Sequence, residues 1–169
     1  EDAGADGLLI VTPYYNRCTE SGLISHYEKI ADDVSIPIIM YSVPSRTGVN
    51  ITPSAVAALS QHPNIAGIKE ASGNISQICQ IASYIGDGFD MYSGNDDQTV
   101  PLMSLGGIGC ISTVSNIIPA RFANMTRDFL NGNYIQAGKE QVAIKPLIDS
   151  LFVEVNPVPV KAALNMMRM

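Results

Sequence analysis

Short apolar segments alternate with segments of helical periodicity along most of the chain. The apolar segments are rich in β-branched and aromatic residues, and polar turn residues follow each of them, a pattern that predicts β-strands. Strands that alternate with helices at this pace predict an α/β fold with a parallel sheet. The five predicted strands are Gly7–Thr12, Ile36–Tyr41, Ile65–Glu70, Phe89–Ser93 and Gly109–Thr113.

The intervening segments place their apolar residues on one helical face. Thr19 and Thr52 occupy N-cap positions, and Pro53 follows at the first helical position. After the fifth strand the pattern is entirely helical. The predicted helices are Glu20–Asp33, a short helix from Pro53, Asn74–Ile85, Asp97–Leu105, Pro119–Leu130, Tyr134–Phe152 and Pro159–Met167.

Parallel strand–helix units form either a closed (β/α)8 barrel or an open doubly wound sheet. The phosphate-binding glycines of the open sheet follow a strand and lead into a helix, whereas the glycine cluster at Ser104–Cys110 follows a helix and leads into a strand. This order favours the barrel. Five strands do not close a barrel that needs eight strands and about 250 residues. We therefore expect a partial (β/α)8 TIM barrel over residues 1–118 and a truncated helical extension over residues 119–169.

We expect that both ends of this sequence interrupt a structural unit rather than lie in a linker. The sequence opens with "EDAGADGLLIVTP", almost directly on a strand, and closes with "AALNMMRM" inside a predicted helix.

Charge, hydropathy and cysteine content bear on possible partners and on the compartment of the protein. The net charge is −6 over 169 residues, and the basic residues are scattered, so no footprint for nucleic acid is visible. The longest apolar runs are too short to span a bilayer. Cys18, Cys79 and Cys110 are an odd number without CxxC spacing, which indicates reduced thiols and a cytoplasmic protein.

Lys69 is the candidate nucleophile, because it ends an apolar strand in the segment "NIAGIKEASGN". A buried ammonium is costly unless it is paired or loses its proton. One interpretation places Lys69 at the rim of the sheet, in solvent and paired with Glu70. The other makes it an amine nucleophile with a lowered pKa.

The segments that follow the strands carry further reactive side chains. In a βα barrel the carboxyl ends of the strands meet at one mouth, which would bring Tyr41 and Arg46 to Lys69. A phenol moves protons, a guanidinium binds a carboxylate and a desolvated amine attacks a carbonyl. These groups are typical of an imine-forming aldolase that acts on a keto acid. Arg46 would otherwise bond loop carbonyls.

No metal site is predicted. His26 and His62 lie on or beside helices without an evident partner, and we expect both at the surface. Asp96 and Asp97 are typical of a helix N-terminus.

The segments "VTPYYNR", "YSVPSRTG", "GIKEASGN" and "FVEVNPVPVK" occur in this order along the chain. Together they resemble the dihydrodipicolinate synthase (4-hydroxy-tetrahydrodipicolinate synthase) family of class I, pyruvate-dependent aldolases. The resemblance implies a lyase that condenses pyruvate with L-aspartate 4-semialdehyde through a lysine Schiff base, in lysine and diaminopimelate biosynthesis. It also implies a TIM barrel that assembles into a homodimer or homotetramer and needs no cofactor.

The same resemblance assigns roles to individual residues. The Schiff-base lysine falls on Lys69, and the proton-carrying tyrosine beside it falls on Tyr41. A second relay tyrosine, lent across a dimer interface, falls on Tyr15, and Tyr14 falls on the aromatic residue of that interface. Arg46 falls on the arginine that receives the carboxylate of the aldehyde substrate.

Gly94 and Ile111 fall on positions that line the pyruvate pocket of the family, Ile111 through its main-chain carbonyl. The first three strands of the family are absent, so we expect this piece alone to be inactive. Two alternatives remain open, a pyruvate-dependent aldolase of the keto-deoxy sugar acid type and a non-catalytic assembly module. A phosphate-binding barrel using "GGIG" is disfavoured, because the motif precedes its strand.

Overall fold

The chain forms one parallel β-sheet with helices packed against it, as a computed structural model shows for residues 1–86 and 88–169. The strands pair in chain order, each with the next, and every pairing is parallel. They are β1 (Leu8–Val11), β2 (Ile38–Ser42), β3 (Ile65–Glu70), β4 (Asp90–Ser93) and β5 (Gly109–Cys110). The prediction of a five-stranded parallel sheet is confirmed.

The helices occupy the connections and the C-terminal third of the chain. They are α1 (Glu20–Asp33), α2 (Pro44–Thr47), α3 (Pro53–Leu59), α4 (Ile75–Ile81), α5 (Thr99–Met103), α6 (Pro119–Leu130), α7 (Tyr134–Leu151) and α8 (Val158–Met166). Three 3-10 turns cover Ala82–Tyr84, Asp96–Gln98 and Val114–Asn116. Among the described residues, no helix is long and apolar enough to cross a membrane.

Two predicted helix caps are present. The Thr19 hydroxyl accepts a hydrogen bond from the amide of Gly22 at 3.2 Å, and the Thr52 hydroxyl accepts one from the amide of Ala55 at 3.2 Å. Each threonine thereby satisfies one of the amides that a helix start leaves without an intrahelical partner. The two caps fix where α1 and α3 begin.

Several predicted element boundaries differ from the structure, and the three largest differences are these. The four-residue helix α2 was predicted as a loop, because one turn is too short to show periodicity. The helix predicted over Asn74–Ile85 ends at Ile81 and continues as a 3-10 turn. The fifth strand was predicted to reach Thr113 but ends at Cys110, because the buried Asp96 carboxylate accepts the amides of Thr113 at 3.1 Å and Val114 at 2.9 Å.

Buried apolar side chains form two clusters. The first lies between the sheet and the helices α1, α3 and α4, with Tyr27, Ile38, Ile68 and Met91 almost fully inaccessible to solvent. The second joins α6, α7 and α8 and includes Val114, which precedes the helical region. The division of the chain after residue 118 stays a prediction, because the second cluster also packs against residues of the sheet region.

Candidate active site

Lys69 is the penultimate residue of β3, which lies in the interior of the sheet between β2 and β4. It pairs in register with Tyr41 on one side and with Tyr92 on the other. Its side chain is only 9% exposed, and Nζ lies 4.0 Å from the centroid of the Tyr41 ring. Within residues 1–86 and 88–169, Lys69 forms no ion pair with a carboxylate. The interpretation of Lys69 as a solvent-exposed rim residue is therefore wrong.

The suggested partner, Glu70, is bound elsewhere. Its carboxylate accepts the amide of Ser72 at 2.6 Å and the side-chain amide of Gln77 at 3.4 Å. Successive residues of a strand point to opposite faces of the sheet, so Lys69 and Glu70 face different environments. Lys69 is thus left without the carboxylate that would stabilise its charged form.

Burial controls the ionisation of Lys69. Loss of solvation lowers the pKa of Lys69, against the opposing influence of Cys110 and Asp96. Burial also raises the pKa of Tyr41, and the nearby Arg46 guanidinium opposes that rise. The amine is therefore easier to deprotonate than a free lysine, and the phenol beside it keeps its proton. An amine nucleophile next to a proton donor is suited to attack on a carbonyl.

Gly94, just after β4, leaves space beside its backbone for the Lys69 side chain. A Cβ atom at Gly94 would lie 3.2 Å from Lys69 Cε and 2.7 Å from the Cβ of Ala71. The Gly94 amide also donates to the carbonyl of Glu70 at 2.7 Å, which holds the two strand ends together. Glycine is required here by close packing, since a larger residue would displace the lysine.

A cavity of about 300 Å³ opens above these strand ends. It brings together four of the predicted site residues, Lys69, Tyr41, Arg46 and Gly94. The other lining residues are Val43, Ser45, Ala71, Asn95, Thr113, Phe152 and Asn156. The prediction that the ends of separate strands contribute to one mouth is therefore realised in the geometry for these four residues.

Three predicted site residues lie elsewhere. Ile111 is not among the described residues that line this cavity, and its amide donates to the Ser93 carbonyl at 2.9 Å. Tyr14 and Tyr15 line a neighbouring cavity of about 650 Å³, which shares Arg46 with the first. Tyr14 is 67% exposed and Tyr15 is 90% exposed, and neither is among the described residues that line the cavity of Lys69.

Phe152 and Asn156 were missed by the sequence interpretation. They follow α7, far from any strand, and reach the cavity because α7 packs against the segments that follow β4 and β5. Asn156 donates through Nδ2 to the Thr113 hydroxyl at 3.4 Å, which links the helical region to the segment after β5. The only available signal was the segment "FVEVNPVPVK", which was noted for its resemblance to a family motif but was given no role in the site.

The histidine and aspartate predictions were partly wrong. His62 was expected without a partner, but its Nε2 lies 3.2 Å from Asp32 Oδ1 and its Nδ1 accepts the amide of Asn64 at 3.1 Å. Asp96 does begin a 3-10 turn, but its carboxylate accepts backbone amides of the segment after β5 rather than amides of that turn. Across the described part of the chain, no group of three or more histidine, cysteine, aspartate or glutamate side chains is arranged to hold a metal ion.

Comparison with known proteins identifies the family of this chain. The model of the dihydrodipicolinate synthetase family matches residues 1–169. The chain belongs to this family. It is 56% identical over 167 residues to the 4-hydroxy-tetrahydrodipicolinate synthase of Caldicellulosiruptor saccharolyticus, covering 99% of this chain and 56% of that relative. It is 52% identical over 168 residues to the enzyme of the same name from a Thermoanaerobacter species, covering 99% and 57%.

Solved structures of the family have the same fold. Dihydrodipicolinate synthase of Thermotoga maritima superimposes with a TM-score of 0.96 at 42% identity, covering 98% of this chain and 58% of that one. The chloride-inhibited enzyme of Acinetobacter baumannii, complexed with pyruvate, gives a TM-score of 0.94 at 40% identity, covering 98% and 57%. This chain thus spans somewhat more than half the length of the relatives it matches.

Proposed function

We propose that the full-length protein is a 4-hydroxy-tetrahydrodipicolinate synthase that condenses pyruvate with L-aspartate 4-semialdehyde. The observation that carries the proposal is the buried amine of Lys69, which forms no ion pair among the described residues and lies 4.0 Å from the centroid of the Tyr41 ring, in a cavity that Arg46 also lines. Membership of the dihydrodipicolinate synthetase family supports it. The pyruvate complex of the Acinetobacter baumannii relative supports pyruvate as the first substrate.

In the first half of the proposed reaction, neutral Lys69 Nζ attacks the ketone carbon of pyruvate. A carbon–nitrogen bond forms, and the ketone oxygen leaves as water after it accepts protons, with Tyr41 as the nearest proton carrier. The protonated imine withdraws electrons from the neighbouring methyl group, which loses a proton and gives the enamine. The imine itself is the electron sink for this step.

In the second half, Arg46 binds the carboxylate of L-aspartate 4-semialdehyde in a charge-assisted pair. The enamine carbon attacks the aldehyde carbon, a carbon–carbon bond forms, and the aldehyde oxygen becomes a hydroxyl. The amino group of the second substrate then attacks the imine carbon and displaces Lys69. This transimination closes the ring and at the same time releases the amine of Lys69.

We assign supporting roles to the remaining residues of the site. Gly94 shapes the pyruvate pocket by leaving room for the Lys69 side chain. Ile111, which does not line the cavity described above, contributes its main-chain carbonyl to the pyruvate pocket of the complete barrel. Tyr15 reaches the site of a second copy as a relay group, and Tyr14 packs in that interface. The exposure of both tyrosines in the isolated chain agrees with a place between subunits of a homodimer or homotetramer.

We also propose that the sheet is part of a (β/α)8 barrel, about strands 4 to 8, followed by a helical extension from residue 119. β1 and β5 each pair with one neighbour only, so the sheet has two free edges. The hydroxyl of Thr12, just after β1, is buried and is the one such side-chain atom without a partner among the described residues. Further strands that join β1 to β5 and close the barrel would cover both free edges. They would also bring possible partners to the Thr12 hydroxyl. In this proposal the enzyme acts in the cytoplasm, in lysine and diaminopimelate biosynthesis.

A substrate screen of the full-length protein tests this function. Pyruvate is supplied with L-aspartate 4-semialdehyde or with the aldehydes that keto-deoxy sugar acid aldolases use, and pyruvate consumption is followed by NMR. Consumption with the semialdehyde alone supports the proposal. Consumption only with sugar aldehydes supports the other aldolase class. If no aldehyde is used and pyruvate does not raise the melting temperature, the chain is a non-catalytic module.

A further inference from the structure

A second row of polar residues lies directly behind the site. Ser42 follows Tyr41 on β2, Glu70 follows Lys69 on β3, and the two pair in register. Because successive residues of a strand point to opposite faces, Ser42 and Glu70 face away from the cavity. Both are almost fully buried, with 0% and 1% exposure. Buried polar groups of this kind need partners, and any partner they share joins the two strands.

Gln77 on α4 and Asn50 together connect the two residues. Gln77 Nε2 donates to the Glu70 carboxylate at 3.4 Å, and Gln77 Oε1 accepts Asn50 Nδ2 at 2.6 Å. Asn50 Oδ1 in turn accepts the Ser42 hydroxyl at 3.3 Å and Gln77 Nε2 at 3.2 Å. Gln77 is itself only 8% exposed. An unbroken path of hydrogen bonds therefore runs from Ser42 to Glu70 through two side-chain amides.

The path is also fixed to the backbone at both ends. The amide of Ile51 donates to the Ser42 hydroxyl at 3.3 Å, and the amide of Ser72 donates to the Glu70 carboxylate at 2.6 Å. A side-chain amide offers donors and an acceptor in one plane, so Gln77 satisfies both neighbours in one orientation. A partly satisfied buried network is less stable than a fully satisfied one. The network therefore favours a single arrangement of the two strand ends.

We propose that Gln77 is a positioning residue, which holds the carboxyl ends of β2 and β3 so that the Tyr41 ring stays against the amine of Lys69. This inference rests on the proposed function. Gln77 does not line the cavity and touches no substrate. Gln77 acts through Glu70, which follows Lys69 on β3, and through the Asn50–Ser42 pair, in which Ser42 follows Tyr41 on β2. Loosening this network admits water to the amine, which raises the pKa of Lys69 toward that of a free lysine.

The test compares Gln77→Met with Gln80→Met in the full-length protein. Methionine has a similar shape and cannot replace the hydrogen bonds, and Gln80 lies on the same helix α4 with its side chain exposed. Borohydride trapping with pyruvate gives the amount of imine and its rate of formation from pH 6 to pH 10. The titratable and charged groups around the amine are Cys110 on β5, Asp96 after β4, and Tyr41 and Arg46 in the cavity, and none of them is changed by either substitution.

Gln77→Met is expected to trap imine in full amount at saturating pyruvate, with a pH midpoint raised by about half a unit and therefore a rate about threefold lower at pH 7. Gln80→Met is expected to match the wild type. A lower melting temperature with an unchanged pH midpoint would overturn the inference, because Gln77 would then be merely structural. Absence of imine in the wild type would instead remove the proposed function.

If Gln77→Met fails to fold, Ser42→Ala removes the other end of the path. The inference predicts a shift of the pH midpoint in the same direction, since Ser42 and Gln77 act through the same Asn50. Where both variants fold, the double variant is expected to shift the midpoint no further than the larger single shift. Additive shifts would contradict a shared path.

Discussion

The amine of Lys69 lies 4.0 Å from the centroid of the Tyr41 ring, across the pairing of β2 with β3. The two residues are direct register partners, so the sheet itself sets their separation. Two influences act on the amine here. Burial disfavours its charged form, and the face of the ring favours a cation. Burial prevails, and the pKa of Lys69 is lowered.

Lys69→Met is expected to stabilise the protein near neutral pH. Burial disfavours the charged form of Lys69, and among the described residues its amine forms no ion pair, so replacement by methionine removes a poorly solvated ionisable group. Functional sites are commonly less stable than their surroundings would allow. We expect the free energy of unfolding of Lys69→Met to exceed that of the wild type by about 0.5–2 kcal/mol. Urea unfolding of the two proteins at pH 7 measures the difference in the free energy of unfolding.

The pH dependence of that difference is the control. The folded protein has a lower Lys69 pKa than the unfolded chain, where it is about 10.4. Between the lowered value and about 10.4, the unfolded state binds more protons, so the wild type becomes more stable as the pH rises. The advantage of Lys69→Met is therefore full below the lowered pKa and shrinks toward about pH 10.4. An advantage that grows with pH would contradict the account.

Gly94→Ala is expected to slow imine formation, because the new methyl group would lie 3.2 Å from Lys69 Cε and 2.7 Å from the Ala71 Cβ. Overpacking of this kind destabilises by about 1–3 kcal/mol. Gly138→Ala is the matched control, since Gly138 lies inside α7 with no atom within 4 Å of the added group. That change should stabilise by about 0.5–1 kcal/mol. Thermal unfolding and the trapping rate are measured for both, and equal effects would refute the steric role of Gly94.

Arg46→Met is expected to weaken use of the aldehyde and leave pyruvate imine formation largely intact. A hydrogen bond to a charged group contributes about 1.5–3 kcal/mol, so kcat/KM for L-aspartate 4-semialdehyde should fall about 10- to 150-fold. Arg127→Met, at an exposed position on α6, is the control. If imine trapping falls by the same factor as turnover, Arg46 acts on the amine rather than on the second substrate.

The sequence was sufficient to predict the sheet because its strands are short, apolar and separated by capped helices. β3 was predicted at its observed bounds, Ile65–Glu70, and α6 at Pro119–Leu130. The meeting of Lys69, Tyr41 and Arg46 could also be predicted, since the carboxyl ends of parallel strands share one edge of the sheet.

Features set by long-range contacts could not be predicted. Phe152 reaches the cavity because α7 packs against the segments that follow β4 and β5, and no local pattern marks that contact. The fifth strand ends early because Asp96, which is 14 residues before Cys110, takes the amides that would have continued it. The hydrogen bond between Gln77 and Asn50 spans 27 residues and has no periodic signature.

The most direct test of the account is borohydride trapping of the full-length protein with pyruvate, followed by peptide mapping by mass spectrometry. The account predicts one reduced pyruvate adduct per chain, on Lys69, which Lys69→Arg abolishes. Lys139→Arg, at an exposed position on α7, is expected to label like the wild type. An adduct on another lysine, or labelling that persists in Lys69→Arg, would contradict the central claim that the buried amine beside Tyr41 is the nucleophile.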